Sequence, residues 1–227
     1  MLNRIGAATV GWLFPARCAG CGSLGAVWCA ACEAETAVLH APVCGHCGYP
    51  LQDPQAECLG CQGRHFAFTQ ARAWGVYGGA LRRAILKLKH KRNRQLGAVL
   101  SQHMAASLPP RWGVELVVPV PLSVRRQAQR GYNPVDLLAS PLAERLDLPL
   151  AQALLRQRDT RPQMDLQVEQ RWANVHGAFV GQPAVAGRRV LLVDDIVTTG
   201  ATAHAAARAL RAAGATSVYV LALARTL

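Results

Sequence analysis

Short apolar runs recur through the last two thirds of the chain and predict the strands of a buried sheet. Residues 190–193 are four consecutive apolar residues, and residues 217–223 form a second, longer stretch that is apolar after Ser217. Runs of this length are typical of strands that are buried on both faces of a parallel sheet. Residues 71–77 and 115–120 predict two further strands of the same kind.

Helical patterns separate these strands. Residues 80–90 place apolar side chains at helical spacing, residues 201–213 are rich in alanine, and residues 133–146 form a third helical segment. Pro141 falls inside the third segment and predicts a kink or a split, with Ser140 capping the second half. Strands that alternate with helices predict an α/β fold, with a mostly parallel sheet flanked by helices.

In the first 70 residues the informative pattern is the spacing of the cysteines rather than that of the apolar residues. All eight cysteines fall into four pairs with two residues between the partners, and two such pairs supply the four thiolates of a tetrahedral zinc site. The candidate ligands of two structural Zn²⁺ ions are Cys18, Cys21, Cys29, Cys32, Cys44, Cys47, Cys58 and Cys61. Sequential pairing joins the first cysteine pair with the second and the third with the fourth. Short connecting loops that need no crossing of the chain favour it, although interleaved pairing is geometrically possible.

A disulfide framework is the alternative use of these cysteines, and it would require export. The apolar stretch at residues 5–14 imitates a signal peptide only faintly, because it also fits one face of a helix and Pro15-Ala16-Arg17 is a poor cleavage site. No stretch approaches the ~18 consecutive apolar residues of a membrane span. We therefore expect a zinc protein without a membrane partner.

Zinc also explains how so short a module can fold. Residues 18–61 contain few large apolar side chains, so their hydrophobic core alone is too small to be stable. A structural zinc ion contributes on the order of 10–16 kcal/mol of apparent binding free energy to such a module. We expect an N-terminal helix at residues 1–17, a double zinc ribbon at residues 18–68 and the α/β domain at residues 69–227.

The charge of the chain is uneven. The formal net charge is +12, yet residues 1–70 hold three basic and four acidic residues, so residues 71–227 carry +13. Two zinc ions with four thiolates each lower the charge of the ribbon further, from −1 to −5. Seven basic residues and no acid lie between Arg82 and Arg94, which predicts either a solvated helix face or a surface for a polyanion such as DNA. The candidate nucleic-acid residues are Lys87, Lys89, Lys91, Arg92 and Arg94.

The segment after the strand at residues 190–193 predicts a phosphate site. Its backbone N–H groups and the N-terminus of the following helix form an anion site, to which threonine hydroxyls add further hydrogen bonds. The candidate residues are Thr198, Thr199, Gly200, Ala201 and Thr202. Asp194 and Asp195 would repel a phosphate but suit the paired hydroxyls of a ribose or a nearby Mg²⁺. A P-loop ATPase is excluded, because no glycine-rich loop precedes any of the three lysines.

The run VLLVDDIVTTGAT at residues 190–202 resembles the phosphoribosyl pyrophosphate (PRPP) fingerprint of type I phosphoribosyltransferases. Four cysteine pairs before such a domain are similar to the ComF family of bacterial competence proteins, and so are the stretches at residues 118–121 and 130–133. Further matching positions are Thr160, Gln163, Leu166, Arg171, Asn174 and Phe179. Pro134 departs from the family pattern, which has glutamine there.

The resemblance implies PRPP as a ligand together with Mg²⁺, and it implies Asp194 and Asp195 as the catalytic residues. It also implies that the loop after the strand at residues 115–120 binds pyrophosphate, with Ser123, Arg125, Arg126 and Arg130 as the candidates. Residues 160–169 would correspond to the mobile loop that closes over PRPP. In the cell, the resemblance implies a cytoplasmic role in DNA uptake during natural transformation, with single-stranded DNA and DNA-processing competence proteins as partners.

Two functions stay open at this point. The first is a competence factor with little or no catalytic activity that binds PRPP or DNA through the α/β domain. The second is a PRPP-dependent transferase with an unidentified acceptor, in which the zinc module occupies the place of the usual acceptor-binding hood. No residue stands out in the sequence as the general base that such an acceptor would need.

Overall fold

Four parallel strands form the sheet at the centre of the α/β domain. The computed structural model describes residues 15–158 and 168–227, so most of the expected N-terminal helix and of the loop at residues 160–169 lies outside the described residues. The strands are β1 (Gln70–Val76), β2 (Leu116–Pro119), β5 (Arg189–Val197) and β6 (Ser217–Arg225), in the order β1-β6-β5-β2. These strands confirm the four predicted from the apolar runs.

Strand β5 is longer than the sequence pattern predicts. It continues through Asp194 and Asp195 to Val197, because its partner β6 stays apolar up to Ala224 and the two strands pair as far as Arg225. The two aspartates therefore belong to the carboxyl end of a central strand rather than to the loop that follows it.

Helices cover both faces of the sheet, and a short antiparallel pair of strands adds to one face. The helices are α1 (Ala30–Glu35), α2 (Gly79–His90), α3 (Arg94–Ala106), α4 (Val124–Arg130), α5 (Asp136–Leu146), α6 (Val168–Val175) and α7 (Ala201–Ala212). The antiparallel strands are β3 (Leu154–Arg156) and β4 (Phe179–Gly181). Within the described part of the chain, no helix is both long and apolar enough to cross a membrane.

Two apolar cores lie on opposite faces of the sheet. One core contains the buried side chains of α2, α3 and α5, and the other contains those of α7 and the β3–β4 pair. Cys18 and Cys32 pack into the first core, while Cys44 and Cys47 pack into the second.

The segment between the two cysteine clusters follows β1 along its outer edge. The N–H of Leu39 donates to the carbonyl of Trp74, and the N–H of Val76 donates to the carbonyl of Ala37. The cysteine-rich module therefore straddles one edge of the sheet, with one cluster on each side.

Helix α5 is continuous through Pro141, so the predicted split with Ser140 as a second cap is wrong. Proline has no N–H to donate to the carbonyl of Leu137, one turn earlier. That carbonyl faces Gly97 of α3, where an added Cβ would overlap it. The absence of a side chain at Gly97 therefore lets the two helices approach closely at the position that Pro141 alters.

Replacing Gly97 by alanine tests this contact. In an ordinary helix Gly→Ala stabilises by about 0.5–1 kcal/mol, whereas an overpacked contact costs about 1–3 kcal/mol. We expect Gly97→Ala to lower the free energy of unfolding, measured by urea denaturation. Gln102→Ala, at an exposed position of the same helix, should change it by less than about 0.5 kcal/mol. A stabilised Gly97→Ala variant would contradict the close approach.

Candidate functional site

The eight cysteines form two clusters with the geometry of zinc sites. Cys18, Cys21, Cys29 and Cys32 form one cluster, here the first zinc site, and Cys44, Cys47, Cys58 and Cys61 form the second zinc site. Sulfur–sulfur distances are 3.6 and 3.7 Å in the first site and 3.8 and 3.5 Å in the second. Four thiolates about 2.3 Å from a tetrahedral Zn²⁺ lie about 3.8 Å apart. The clusters fit zinc, and the prediction of sequential pairing is confirmed.

Two cations of α2 bind the backbone of the first zinc site. The ammonium of Lys87 donates to the carbonyl of Cys18 at 2.9 Å, and the guanidinium of Arg83 donates to the carbonyl of Gly20. Because four thiolates around Zn²⁺ carry a net charge of −2, both cations also stabilise the site electrostatically. Lys87, a candidate nucleic-acid residue, thus contacts the zinc module.

Two arginines of the sheet bind the second zinc site in the same way. Arg72 on β1 donates to the carbonyls of Cys44 and Gly45 at 3.2 and 3.3 Å. Arg225, at the end of β6 and only 4% exposed, donates to the carbonyl of Cys47 at 2.7 Å, and its guanidinium lies 3.8 Å from the sulfur of that residue. A buried guanidinium needs such partners, and the thiolate of a zinc site supplies the opposite charge.

The predicted phosphate loop forms a tight turn between β5 and α7, here called the phosphate turn (residues 198–202). Gly200 has a φ of +79°, which favours glycine, and helix α7 begins at the next residue. The helix N-terminus and the turn therefore meet, as anion binding requires. A cavity of about 10 Å³, lined by the turn and the end of β5, is large enough for about one water molecule or one phosphate oxygen.

The two aspartates lie beside the phosphate turn with different environments. Asp194 is 8% exposed, and one of its carboxylate oxygens accepts the backbone N–H of Asp195 at 2.8 Å. Burial and the negative charge of Asp195 raise the pKa of Asp194 to about 8. Asp195 is ion-paired with Lys89, whose ammonium nitrogen lies 2.7 Å from the carboxylate. Lys89, a second candidate nucleic-acid residue, therefore has an ion-pair partner within the protein.

An open basic groove adjoins the acidic pair. It measures about 430 Å³ and is lined by Lys89, His90, Arg126, Gln129 and Arg130. Arg126 and Arg130 lie one turn apart on α4, and the hydroxyl of Ser123 accepts the N–H of Arg126 at the start of that helix. Arg125 is exposed and does not line the groove. Two of the three candidate pyrophosphate arginines, Arg126 and Arg130, therefore line the same groove as Lys89.

The rest of the basic run lies at the surface. Lys91, Arg92 and Arg94 are exposed where α2 gives way to α3. They follow Lys89 and His90 of the basic groove directly along the chain.

Asn133, in one of the stretches that resemble the ComF pattern, has a structural role. It is 6% exposed, donates to the carbonyl of Val120 at 3.0 Å and accepts the N–H of Val135 at 3.2 Å. The hydroxyl of the neighbouring Tyr132 donates to the carbonyl of Leu88. These contacts tie the segment between α4 and α5 to the residue after β2 and to α2, whose last turn lines the basic groove.

Sequence reasoning missed an aromatic cluster beside the phosphate turn. Its rings contact one another at centroid distances of 4.7–5.8 Å. The members, here called the aromatic cluster, are His46, Phe66, Phe68, Trp172 and His204. They come from the second zinc site, the segment after its last cysteine, α6 and α7, so no local pattern reveals them.

The comparison with known proteins agrees with this architecture. A family model described as double zinc ribbon domain matches residues 9–62, and one described as phosphoribosyl transferase domain matches residues 136–226. "Competence protein F" of Haemophilus influenzae is 32% identical over 207 residues, which are 87% of this chain and 90% of that protein. The chain belongs to the ComF family.

Other relatives of the family are similar over comparable lengths. "DNA utilization protein YhgH" of Escherichia coli is 32% identical over 88% of this chain and 90% of that protein. "Competence protein ComFC" of Bacillus subtilis is 26% identical over 87% of this chain and 84% of that protein. The predicted combination of a double zinc ribbon with a phosphoribosyltransferase-like α/β domain is confirmed.

The raised pKa of Asp194 predicts how stability depends on pH. In the folded protein the carboxyl group of Asp194 retains its proton up to about pH 8, whereas an aspartate in the unfolded chain releases its proton near pH 4. The native protein therefore loses stability as the pH rises between these values. An asparagine side chain cannot ionise, so we expect Asp194→Asn to be more stable than the native protein at pH 8.5 and to lose that advantage at pH 5. Urea denaturation at both pH values measures the difference, and a difference independent of pH would contradict the shift.

Proposed function

We propose that the protein binds PRPP, or a closely related phosphorylated ribose, at the carboxyl end of the parallel sheet. The observation that supports this most directly is the order of three chemical environments along one edge. The phosphate turn lies next to the acidic pair of Asp194 and Asp195, and the acidic pair adjoins the basic groove through Lys89. PRPP has a phosphate, a ribose diol and a pyrophosphate in the same sequence.

Each part of the ligand meets groups of suitable chemistry. The 5′-phosphate would accept hydrogen bonds from the phosphate turn and the α7 N-terminus. Asp195 would accept hydrogen bonds from ribose hydroxyls, and protonated Asp194 can both accept and donate. The pyrophosphate would lie in the basic groove, where Arg126 and Arg130 offer forked donors and Lys89 an ammonium.

The acidic pair fits a Mg²⁺ ion that arrives with the ligand better than one held by the protein alone. Asp194 is buried, and the carboxylate of Asp195 already has a cation at 2.7 Å. Mg²⁺ typically takes one or two carboxylates together with phosphate oxygens and water. Bound in this way, the ion would neutralise the charge on the pyrophosphate.

We further propose a role in the handling of DNA, in the cytoplasm and together with DNA-processing competence proteins. The names of the relatives, competence protein F and DNA utilization protein YhgH, support this role. Because Lys87 and Lys89 have partners within the protein, the exposed residues Lys91, Arg92 and Arg94 are the better candidates for contact with DNA phosphates.

Transfer of the phosphoribosyl group is the second candidate function. The basic groove favours it, because a site that holds pyrophosphate also stabilises it as the leaving group when the bond to ribose C1 breaks. The acceptor would attack C1. A transferase releases pyrophosphate when a suitable acceptor is present, whereas a protein that only binds PRPP does not. Incubation with PRPP, Mg²⁺ and candidate bases, followed by a pyrophosphate assay, distinguishes the two.

Arginine variants on α4 test the PRPP site. We expect Arg126→Ala to weaken PRPP binding about tenfold or more, since charge-assisted hydrogen bonds contribute about 1.5–3 kcal/mol. Binding of ribose 5-phosphate, which lacks the pyrophosphate, should not change. Arg125→Ala, outside the groove on the same helix, is the matched control. Isothermal titration calorimetry with Mg²⁺ measures all these affinities.

Two results would overturn the proposal. One is a native protein that binds neither PRPP nor ribose 5-phosphate. The other is an equal loss of PRPP affinity in Arg125→Ala and Arg126→Ala, which would show a general effect of charge rather than a site.

Charge reversal of Lys91, Arg92 and Arg94 to glutamate tests the DNA surface. We expect the triple variant to bind single-stranded DNA more weakly and with a smaller dependence on salt, because fewer counterions are released. The control is the reversal of Arg111, Arg145 and Arg188, three exposed arginines elsewhere, which changes the net charge equally. Fluorescence anisotropy at several salt concentrations measures the effect, and equal losses in both variants would argue against a defined surface.

A further inference from the structure

The second zinc site is connected to the phosphate turn by a short series of side-chain contacts. His46 lies inside the knuckle formed by Cys44 and Cys47, so its backbone position follows from metal binding. Its ring lies 5.8 Å from Phe66 and 5.4 Å from Phe68, and the two phenylalanine rings stack at 4.7 Å. The knuckle therefore packs directly against the segment that follows the last cysteine.

Phe66 packs in turn against the phosphate turn. A Cβ added to Gly200 would lie 2.8 Å from the ring of Phe66, so the ring contacts the backbone of the turn. The N–H of Ala67 donates to Nδ1 of His204 at 3.1 Å, close to the start of α7. These two contacts hold the turn and the helix N-terminus against the zinc module.

We propose that the second zinc site positions the phosphate turn, with His46 and Phe66 as positioning residues. Loss of the metal releases the knuckle, the ring of His46 no longer supports Phe66, and Gly200 loses the ring that fixes its backbone. For ligand affinity this inference rests on the proposed phosphosugar site, whereas for the order of the turn it does not.

The first zinc site supplies a matched control. It contacts α2 through Arg83 and Lys87, on the opposite face of the sheet. Cys29 and Cys58 are both half-buried ligands, one in each site. Serine at either position removes one metal ligand with the same chemical change.

Hydrogen exchange of the ligand-free protein, followed by mass spectrometry, tests the order of the turn. We expect the amides of residues 198–204 to exchange at least about tenfold faster in Cys58→Ser and in Phe66→Ala than in the native protein. Cys29→Ser should leave their exchange unchanged. Metal analysis should find two zinc ions per chain in Phe66→Ala and one in each cysteine variant.

Variants of His46 separate support by the ring from general damage. His46→Phe keeps a ring next to Phe66 and should keep the slow exchange, whereas His46→Ala should lose it. Unchanged exchange at the turn in both Phe66→Ala and Cys58→Ser would overturn the inference. So would an equal increase in Cys29→Ser.

Affinity for ribose 5-phosphate provides the second readout. We expect Phe66→Ala to bind it at least about fivefold more weakly than the native protein, because a disordered turn must be ordered on binding. If the native protein does not bind ribose 5-phosphate, the proposed function fails while the exchange experiment still decides the role of the zinc site. If the native protein binds it and Phe66→Ala binds it equally well, the turn is ordered without Phe66 and the inference fails.

Discussion

Attraction between the zinc module and the α/β domain is the interaction on which the rest of the structure depends. The module becomes strongly negative when its eight cysteine thiols lose their protons and bind two zinc ions, and the domain carries most of the positive charge of the chain. The contacts are local as well as electrostatic, since four cations of the domain donate hydrogen bonds to knuckle carbonyls. These cations are Arg72, Arg83, Lys87 and Arg225. Part of the basic excess that suggests a nucleic-acid protein is therefore used inside the molecule.

The same contacts bring the ribbon to the edge of the sheet where the candidate site lies. Lys87 binds the first zinc site, and Lys89, two residues later on the same helix, binds Asp195. Helix α2 thus connects the metal module to the acidic pair on one face, while Phe66 connects it to the phosphate turn on the other. A module that looks like an appendage in the sequence contacts the candidate site from both faces.

Local patterns predicted the features that local chemistry determines. The cysteine spacing predicted both metal clusters, and apolar runs predicted the four strands of the sheet. The end of β5 was missed because pairing with β6, not the local sequence, carries that strand to Val197. The partners of Lys87 and Lys89 and the aromatic cluster could not be predicted, because they depend on contacts between distant residues. Ala67 and His204, for example, are 137 residues apart and share a hydrogen bond.

The way the ribbon lies along β1 has a consequence for fragments of this protein. In the intact chain, Ala37 and Leu39 occupy hydrogen-bonding groups on the outer side of β1. A fragment that begins at β1 would present those groups unpaired, next to apolar side chains that the ribbon covers in the whole molecule. Bare strand edges of this kind recruit strands from other molecules. Isolated α/β fragments should therefore tend to self-associate and precipitate, and a failure to obtain them in soluble form would say nothing about their chemistry.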